Sequence, residues 1–176
     1  DLERTLRAKA VLLPGVKITL HVEKGKDWKT RSWSYSGGLE EYLQELGEGL
    51  TPVAPIFAGE NYLGKPKDGD TFAEGEGAAW ALAWYDEGTA VAESYVNLIP
   101  TPAGGTHEAG LRAALFEAVK AFVEHHSLLP RGARLQAEDV AARLHFVLAA
   151  RILDPQFQGQ VKEKLTSRDA LKLIAQ

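Results

Sequence analysis

The sequence predicts an α+β fold, a β-sheet of four or more strands with helices packed on one face. Three observations predict it. Val16, Ile18, Leu20 and Val22 alternate strictly with polar residues, the two-residue period of a strand. Leu111, Leu115, Ala118, Phe122 and Val123 recur at helical spacing along 106–126 and form one apolar stripe. Strand-like and helix-like segments are interleaved along the chain, with no internal repeat.

Leu2, Leu6, Ala10 and Leu13 mark an opening helix with a charged start from Asp1 to Lys9, and Pro14-Gly15 stops it. The alternating strand 16–22 is expected to be half-buried. Gly25-Lys26-Asp27 turns it into a second strand carrying Trp33 and Tyr35. Gly37-Gly38 leads into a short helix, 39–46. Residues 56–63 read as a strand, followed by a mobile Gly- and Lys-rich loop over 64–77. The runs 78–85 and 90–99 read as paired strands, with Trp80, Leu82 and Trp84 on one face, and Pro100 ends the second. Gly104-Gly105 opens the long helix, with Thr106 placed to cap it. A short helix is expected at 137–142. The apolar run 145–153 suits a central strand, and its pattern suits a helix nearly as well. Thr166 with Asp169 has the spacing of a capping box opening a last helix through Ile174.

Length and composition exclude several classes. The 176 residues suit one domain, 1–176, and a chain of that size buries roughly 70% of its unfolded surface without staples. Cysteine is absent, which removes disulfides, thiolate metal sites and a cysteine nucleophile together. No apolar run approaches the ~18 residues of a membrane span. A net charge of −4 supplies no global basic field for nucleic acid. The chain starts at Asp1, has no signal-like segment and contains no methionine, so a fragment of a longer protein is expected.

The candidate constellations differ in weight. His125-His126 with Glu124 and His145 offers no i, i+4 histidine pair, and adjacent helical histidines point about 100° apart, so metal is rejected. The loop from Gly64 to Gly69 lacks the Gly-Lys-Ser/Thr ending of a phosphate loop. The helix start Gly104-Gly105-Thr106-His107-Glu108 offers free amides to an anion, though on these residues alone a plain strand-to-helix connection is the favoured reading. Gln158 to Lys164 is a polar loop in which a lysine could reach a phosphate with a glutamine amide beside it.

Several ordered motifs carry a family resemblance. Glu93-Ser94-Tyr95-Val96-Asn97-Leu98-Ile99-Pro100-Thr101, followed by Gly104-Gly105-Thr106-His107, resembles the transducer domain of type IIA DNA topoisomerase B subunits. Leu129-Pro130-Arg131-Gly132, Asp154-Pro155-Gln156-Phe157 and the opening Arg7 to Leu12 with Pro14-Gly15 match it too. The Leu98 to Thr101 run resembles topoisomerase IV more than gyrase.

The resemblance implies a four-stranded or slightly larger sheet backed by helices, in the fold of ribosomal protein S5 domain 2, with a left-handed βαβ crossover. It also implies a cytoplasmic, ATP- and Mg2+-dependent isomerase that passes one DNA duplex through another, decatenating and relaxing DNA. The implied partners are the preceding ATPase domain, a second B subunit, the topoisomerase IV A subunits of an A2B2 tetramer, and duplex DNA, with no membrane. The family's Gln-Thr-Lys loop aligns with Gln160-Val161-Lys162, which makes Lys162 the γ-phosphate contact and Gln160 its supporting amide. Val161 replaces the threonine, so a hydroxyl that could order the loop is absent. Arg112 and Lys120 are the candidate DNA-cavity contacts. The family's nucleotide pocket and cleavage machinery lie outside this chain, so the fragment alone is expected to be inactive and to bind no cofactor. Three other readings are a gyrase B transducer, a standalone nucleic-acid-binding module, and an interaction domain of the mismatch-repair ATPases. The charge of −4 argues against the second, and the Gly104–His107 and Gln160–Lys162 motifs argue against the third.

Overall fold

The computed structural model describes residues 2–176, so Asp1, at the start of the charged opening run, lies outside the described residues. In chain order the elements are α1 (Leu2–Leu12), β1 (Lys17–Lys24), β2 (Asp27–Ser34), α2 (Gly38–Leu46), β3 (Phe57–Tyr62), β4 (Gly77–Trp84), β5 (Val91–Val96), β6 (Ile99–Pro100), α3 (Thr106–His125), α4 (Ala137–Ala141), β7 (Leu144–Arg151), β8 (Phe157–Gln158), β9 (Lys164–Leu165) and α5 (Arg168–Ile174). The main sheet has five strands in the order β3-β4-β7-β5-β6, and β1-β2 and β8-β9 form separate two-stranded ribbons.

The expected pairing of 78–85 with 90–99 does not occur. β7 lies between them, antiparallel to β4 and parallel to β5. The residues after β5 therefore cross over through α3 and α4 before returning as β7. Segment 145–153 is thus the central strand, and its continuous apolar run follows from burial on both faces.

Helices cover both faces of the sheet, where the sequence predicts one. Ala81, Ala83, Tyr85, Tyr95 and Val147 face α1 and α2 through Val11, Tyr42 and Leu43. The alternate residues Ala78, Leu82, Leu144, Phe146 and Leu148 face α3 through Leu111 and Leu115, with Trp80 and Trp84 packed alongside. A third cluster joins Val96, Ala150 and Ile152 to Leu165, Ala170 and Leu173. A strand that is apolar at both parities must be covered twice, and the run 78–85 is such a strand.

Local chemistry differs from expectation at four places. The β1–β2 ribbon is exposed along its outer half, with only Ile18, Leu20 and Trp33 partly buried, so its alternation marks a projecting arm. The α3 stripe is buried at Leu111, whereas Phe122 is exposed. Gly105, and not Thr106, is the N-cap of α3. Ser167 is the N-cap of α5 without a capping side chain; Ser167 Oγ accepts from Gln156 N at 2.7 Å and Thr166 Oγ1 donates to Gln156 O at 3.1 Å. Those hydroxyls serve the preceding loop because Gln156 lies beside them.

The loop after β3 is tied down by one buried carboxylate. Glu76 accepts from Ala73 N at 2.7 Å and from Leu153 N at 2.8 Å. Removing it leaves two amides to find other acceptors, so Glu76→Ala is expected to lower stability by about 1–3 kcal/mol in urea titration. An unchanged midpoint would show that water replaces both bonds at no net cost.

Candidate functional site

The site is assembled at the end of the sheet where β5, α3 and the β8–β9 ribbon meet. β5 turns into β6 through Asn97 and Leu98, both left-handed at φ 49° and 67°, as a two-residue hairpin demands. The Asn97 side chain fixes the turn to the end of β7. Its Nδ2 donates to Ile152 O at 2.7 Å, and its Oδ1 accepts from Ile152 N at 3.0 Å.

The chain then passes through Thr101–Gly105 into α3. Gly105 adopts φ 143° and ψ −160°, a region open essentially only to glycine. A Cβ there would lie 2.3 Å from the Leu165 carbonyl oxygen. The turn is hydrogen-bonded along the β8–β9 ribbon: Ala103 N donates to Glu163 O, and Leu165 N donates to Gly104 O, both at 3.0 Å. Further along α3, a Cβ on Gly110 would lie 2.6 Å from Leu171 O, so this glycine lets α5 pack directly on α3. Turn, ribbon and both helices therefore form one continuous contact.

Lys162 and Gln160 project from loop 159–163 at the tip of that ribbon, and both are exposed. Lys162 takes φ 57°, and its ammonium lies 5.9 Å from the Phe157 ring centroid. It makes no ion pair with any described residue. Val161 is 75% exposed. The tip thus presents a cation and an amide that are free to take a ligand, next to a backbone that is firmly held.

Behind the turn lies a buried polar chain to which the sequence alone assigns no role. Thr101, His107 and Ser94 are all buried. Ser94 Oγ lies 2.6 Å from Glu108 Oε1 and 2.7 Å from Thr101 Oγ1, which in turn lies 3.0 Å from His107 Nε2. His107 Nδ1 has no partner among the described residues. Burial lowers the His107 pKa from 6.5 to about 4, so the ring is neutral at physiological pH. The signal that could have found this group is Ser94 and Thr101 themselves, hydroxyls flanking an apolar strand and its turn.

Arg112 lies on α3 one turn beyond Glu108, with Nη2 3.9 Å from Glu108 Oε2 and its guanidinium carbon 5.0 Å from the Phe146 ring centroid. Lys120, more than two turns further on, has its ammonium 6.0 Å from the Phe116 ring centroid. The structure brings Gln160 and Lys162 together on one loop and leaves Arg112 and Lys120 on a separate helix flank. Among the described residues, no cluster of three or more His, Asp or Glu could hold a metal ion, and no helix is long and apolar enough to cross a membrane.

A family model described as DNA gyrase B matches residues 38–176. The B subunit of DNA topoisomerase 4 from Salmonella typhimurium is 44% identical over 175 residues, covering 99% of this chain and 26% of that protein. The chain thus spans about a quarter of the length of the curated relatives it matches. The 43K ATPase domain of Thermus thermophilus gyrase B superposes with a TM-score of 0.76 at 22% identity, covering 99% of this chain and 44% of that one. The topoisomerase IV ATP-binding domain of Francisella tularensis gives 0.72 at 30% identity, with the same coverage. The motifs from Glu93 to His107 and from Asp154 to Lys162 fall within the matched region, and this chain belongs to the DNA gyrase B family.

Proposed function

We propose that this chain is the transducer domain of a topoisomerase IV B subunit, coupling ATP binding and hydrolysis in a preceding domain to DNA strand passage. The reading carries with it a left-handed crossover between β5 and β7, a second B subunit, two A subunits completing an A2B2 assembly, and ATP with Mg2+ held mainly outside this chain. The observation that carries it is the pair of hydrogen bonds from Ala103 N to Glu163 O and from Leu165 N to Gly104 O. They join the ribbon bearing Lys162 to the start of the longest helix. A displacement of the lysine therefore reaches α3 without passing through a flexible link. The choice of topoisomerase IV over gyrase rests on the Leu98-Ile99-Pro100-Thr101 run and on the identity to the B subunit of DNA topoisomerase 4.

In this mechanism Lys162 meets the terminal phosphate and Gln160 supports it with its amide. The exposed ammonium at the loop tip suits that contact, since it gives up no ion pair and only a contact 5.9 Å from the Phe157 ring centroid to make it. A charge-assisted hydrogen bond contributes about 1.5–3 kcal/mol. It is present with ATP and lost when the terminal phosphate departs. About 2 kcal/mol shifts a two-state equilibrium some thirtyfold, enough for one lysine to bias the orientation of a rigid domain. Arg112, with its part-exposed guanidinium, and Lys120 are the side chains this reading offers to the transported duplex.

Lys162→Ala is expected to lower ATP turnover about 10- to 100-fold in the full-length protein while leaving its unfolding midpoint unchanged. Steady-state turnover measured beside thermal unfolding checks both halves. Turnover equal to wild type would remove Lys162 from the mechanism.

A further inference from the structure

The chain Glu108–Ser94–Thr101–His107 has only one consistent direction. A carboxylate accepts and cannot donate, so the single hydroxyl hydrogen of Ser94 goes to Glu108 Oε1 at 2.6 Å and not to the Thr101 carbonyl oxygen, which lies farther off at 3.3 Å. Ser94 Oγ must then accept from Thr101 Oγ1 at 2.7 Å, which uses the only hydrogen on Thr101 Oγ1. Thr101 Oγ1 must accept in turn, and the group within reach is His107 Nε2 at 3.0 Å. The proton on the imidazole is therefore on Nε2. The partnerless Nδ1 agrees, because a proton there would be a buried donor with no acceptor.

This chain grips the turn from the side opposite the ribbon. Thr101 N also donates to Ser94 O at 2.9 Å, and Gly104 N donates to Thr101 O at 2.8 Å. Residues 101–105 are thus held on one side by β5 and the first turn of α3, and on the other by Glu163 and Leu165. We infer that His107, fixed as the neutral Nε2–H tautomer at the donating end of this one-way chain, is the positioning residue that sets turn 101–105 against the β8–β9 ribbon. Its consequence for turnover rests on the proposed role of Lys162; its effect on the turn does not.

Two readouts on the full-length protein test this without assaying activity. Nitrogen-15 histidine labelling, with the His107 signal assigned by its loss in His107→Gln, is expected to show a neutral ring protonated on Nε2. Hydrogen exchange over peptides spanning 101–106 and 163–166 is expected to quicken at least tenfold in His107→Asn and to stay within about threefold of wild type in His107→Gln. The glutamine amide nitrogen can stand where Nε2 stands, whereas that of asparagine falls near Nδ1. Thr101→Val, which removes the acceptor for His107 together with the donor to Ser94, should quicken exchange as His107→Asn does and serves should that variant fail to fold.

A ring protonated on Nδ1, or equal exchange in the glutamine and asparagine variants, would overturn the assignment. Unchanged turnover in Lys162→Ala, with the tautomer and exchange results as expected, would overturn only the sensor reading.

Discussion

Gly105→Ala is expected to lower stability by roughly 3–5 kcal/mol, the largest effect of any single substitution considered for this chain. Two causes act together. The backbone at φ 143° and ψ −160° is strained for any residue with a Cβ. The added methyl would also sit 2.3 Å from Leu165 O and 2.6 Å from Leu165 N, both backbone atoms of a residue that is fully buried. Leu165 cannot yield without leaving the cluster it shares with Val96, Ile152 and Leu173. The substitution should therefore push the β8–β9 ribbon off the turn and break the Leu165 N to Gly104 O bond. Urea titration reads the loss, and hydrogen exchange at 163–166 reads its location. A shift below about 1 kcal/mol would mean that turn and ribbon are not in the contact described here.

The second large effect is a dependence on pH carried by His107. Its folded-state pKa of about 4 lies below the ordinary 6.5 because burial penalises the charged ring. Between those values the unfolded chain binds the proton and the folded chain does not. Stability is therefore whole above about pH 6.5, falls as the pH drops through this window, and levels off below about pH 4. Integrating between pH 7.5 and pH 5 gives a loss of about 2 kcal/mol from this one residue. Carboxylates begin to titrate at the acidic end, so the informative quantity is the difference between wild type and His107→Gln. Unfolding midpoints at four or five pH values in both proteins measure it. The wild-type curve should be steeper in this range, and parallel curves would show that His107 titrates as an exposed histidine does.

Much of the fold was legible because its signals are local. The helix at 106–125 and the ribbon turn at Gly25 were read from periodicity and turn chemistry, which need no knowledge of the rest of the chain. The order of strands was not. Nothing in 78–85 or 90–99 says that a strand fifty residues later will separate them, and the loop Asp86-Glu87-Gly88 looks like a hairpin turn. Coverage of both faces could have been read from the unbroken apolar character of 78–85, a sign of a strand with no solvent side. The caps differ from the spacing for two reasons. The cap of α3 sits one residue earlier, at Gly105, leaving Thr106 Oγ1 without a partner among the described residues. The Thr166 and Ser167 hydroxyls bond Gln156 in place of the α5 amides, which spacing along one helix does not reveal.

The candidate site divides the same way. The family was identified from ordered motifs, and the match over residues 38–176 agrees with it. Lys162 and Gln160 came from that resemblance, since composition alone leaves a polar loop a polar loop. The link from Asp154–Lys164 back to Gly104–His107 was invisible because it runs through backbone atoms of Ala103, Gly104, Glu163 and Leu165, whose side chains play no part. The buried chain through Ser94 and Thr101 is not legible in the sequence because a lone serine or threonine there carries no sign of its burial or of its partner. Only the β5–β6 turn brings them to 2.7 Å.

In the proposed function Lys162 senses the terminal phosphate of a nucleotide held by the preceding domain. The most direct measurement is a crystal structure of the intact ATPase region with a non-hydrolysable ATP analogue. It should place Lys162 Nζ about 2.7–3.0 Å from a terminal phosphate oxygen, with the Ala103–Glu163 and Gly104–Leu165 hydrogen bonds intact. Lys162 pointing into solvent in a closed, nucleotide-bound structure would contradict the account.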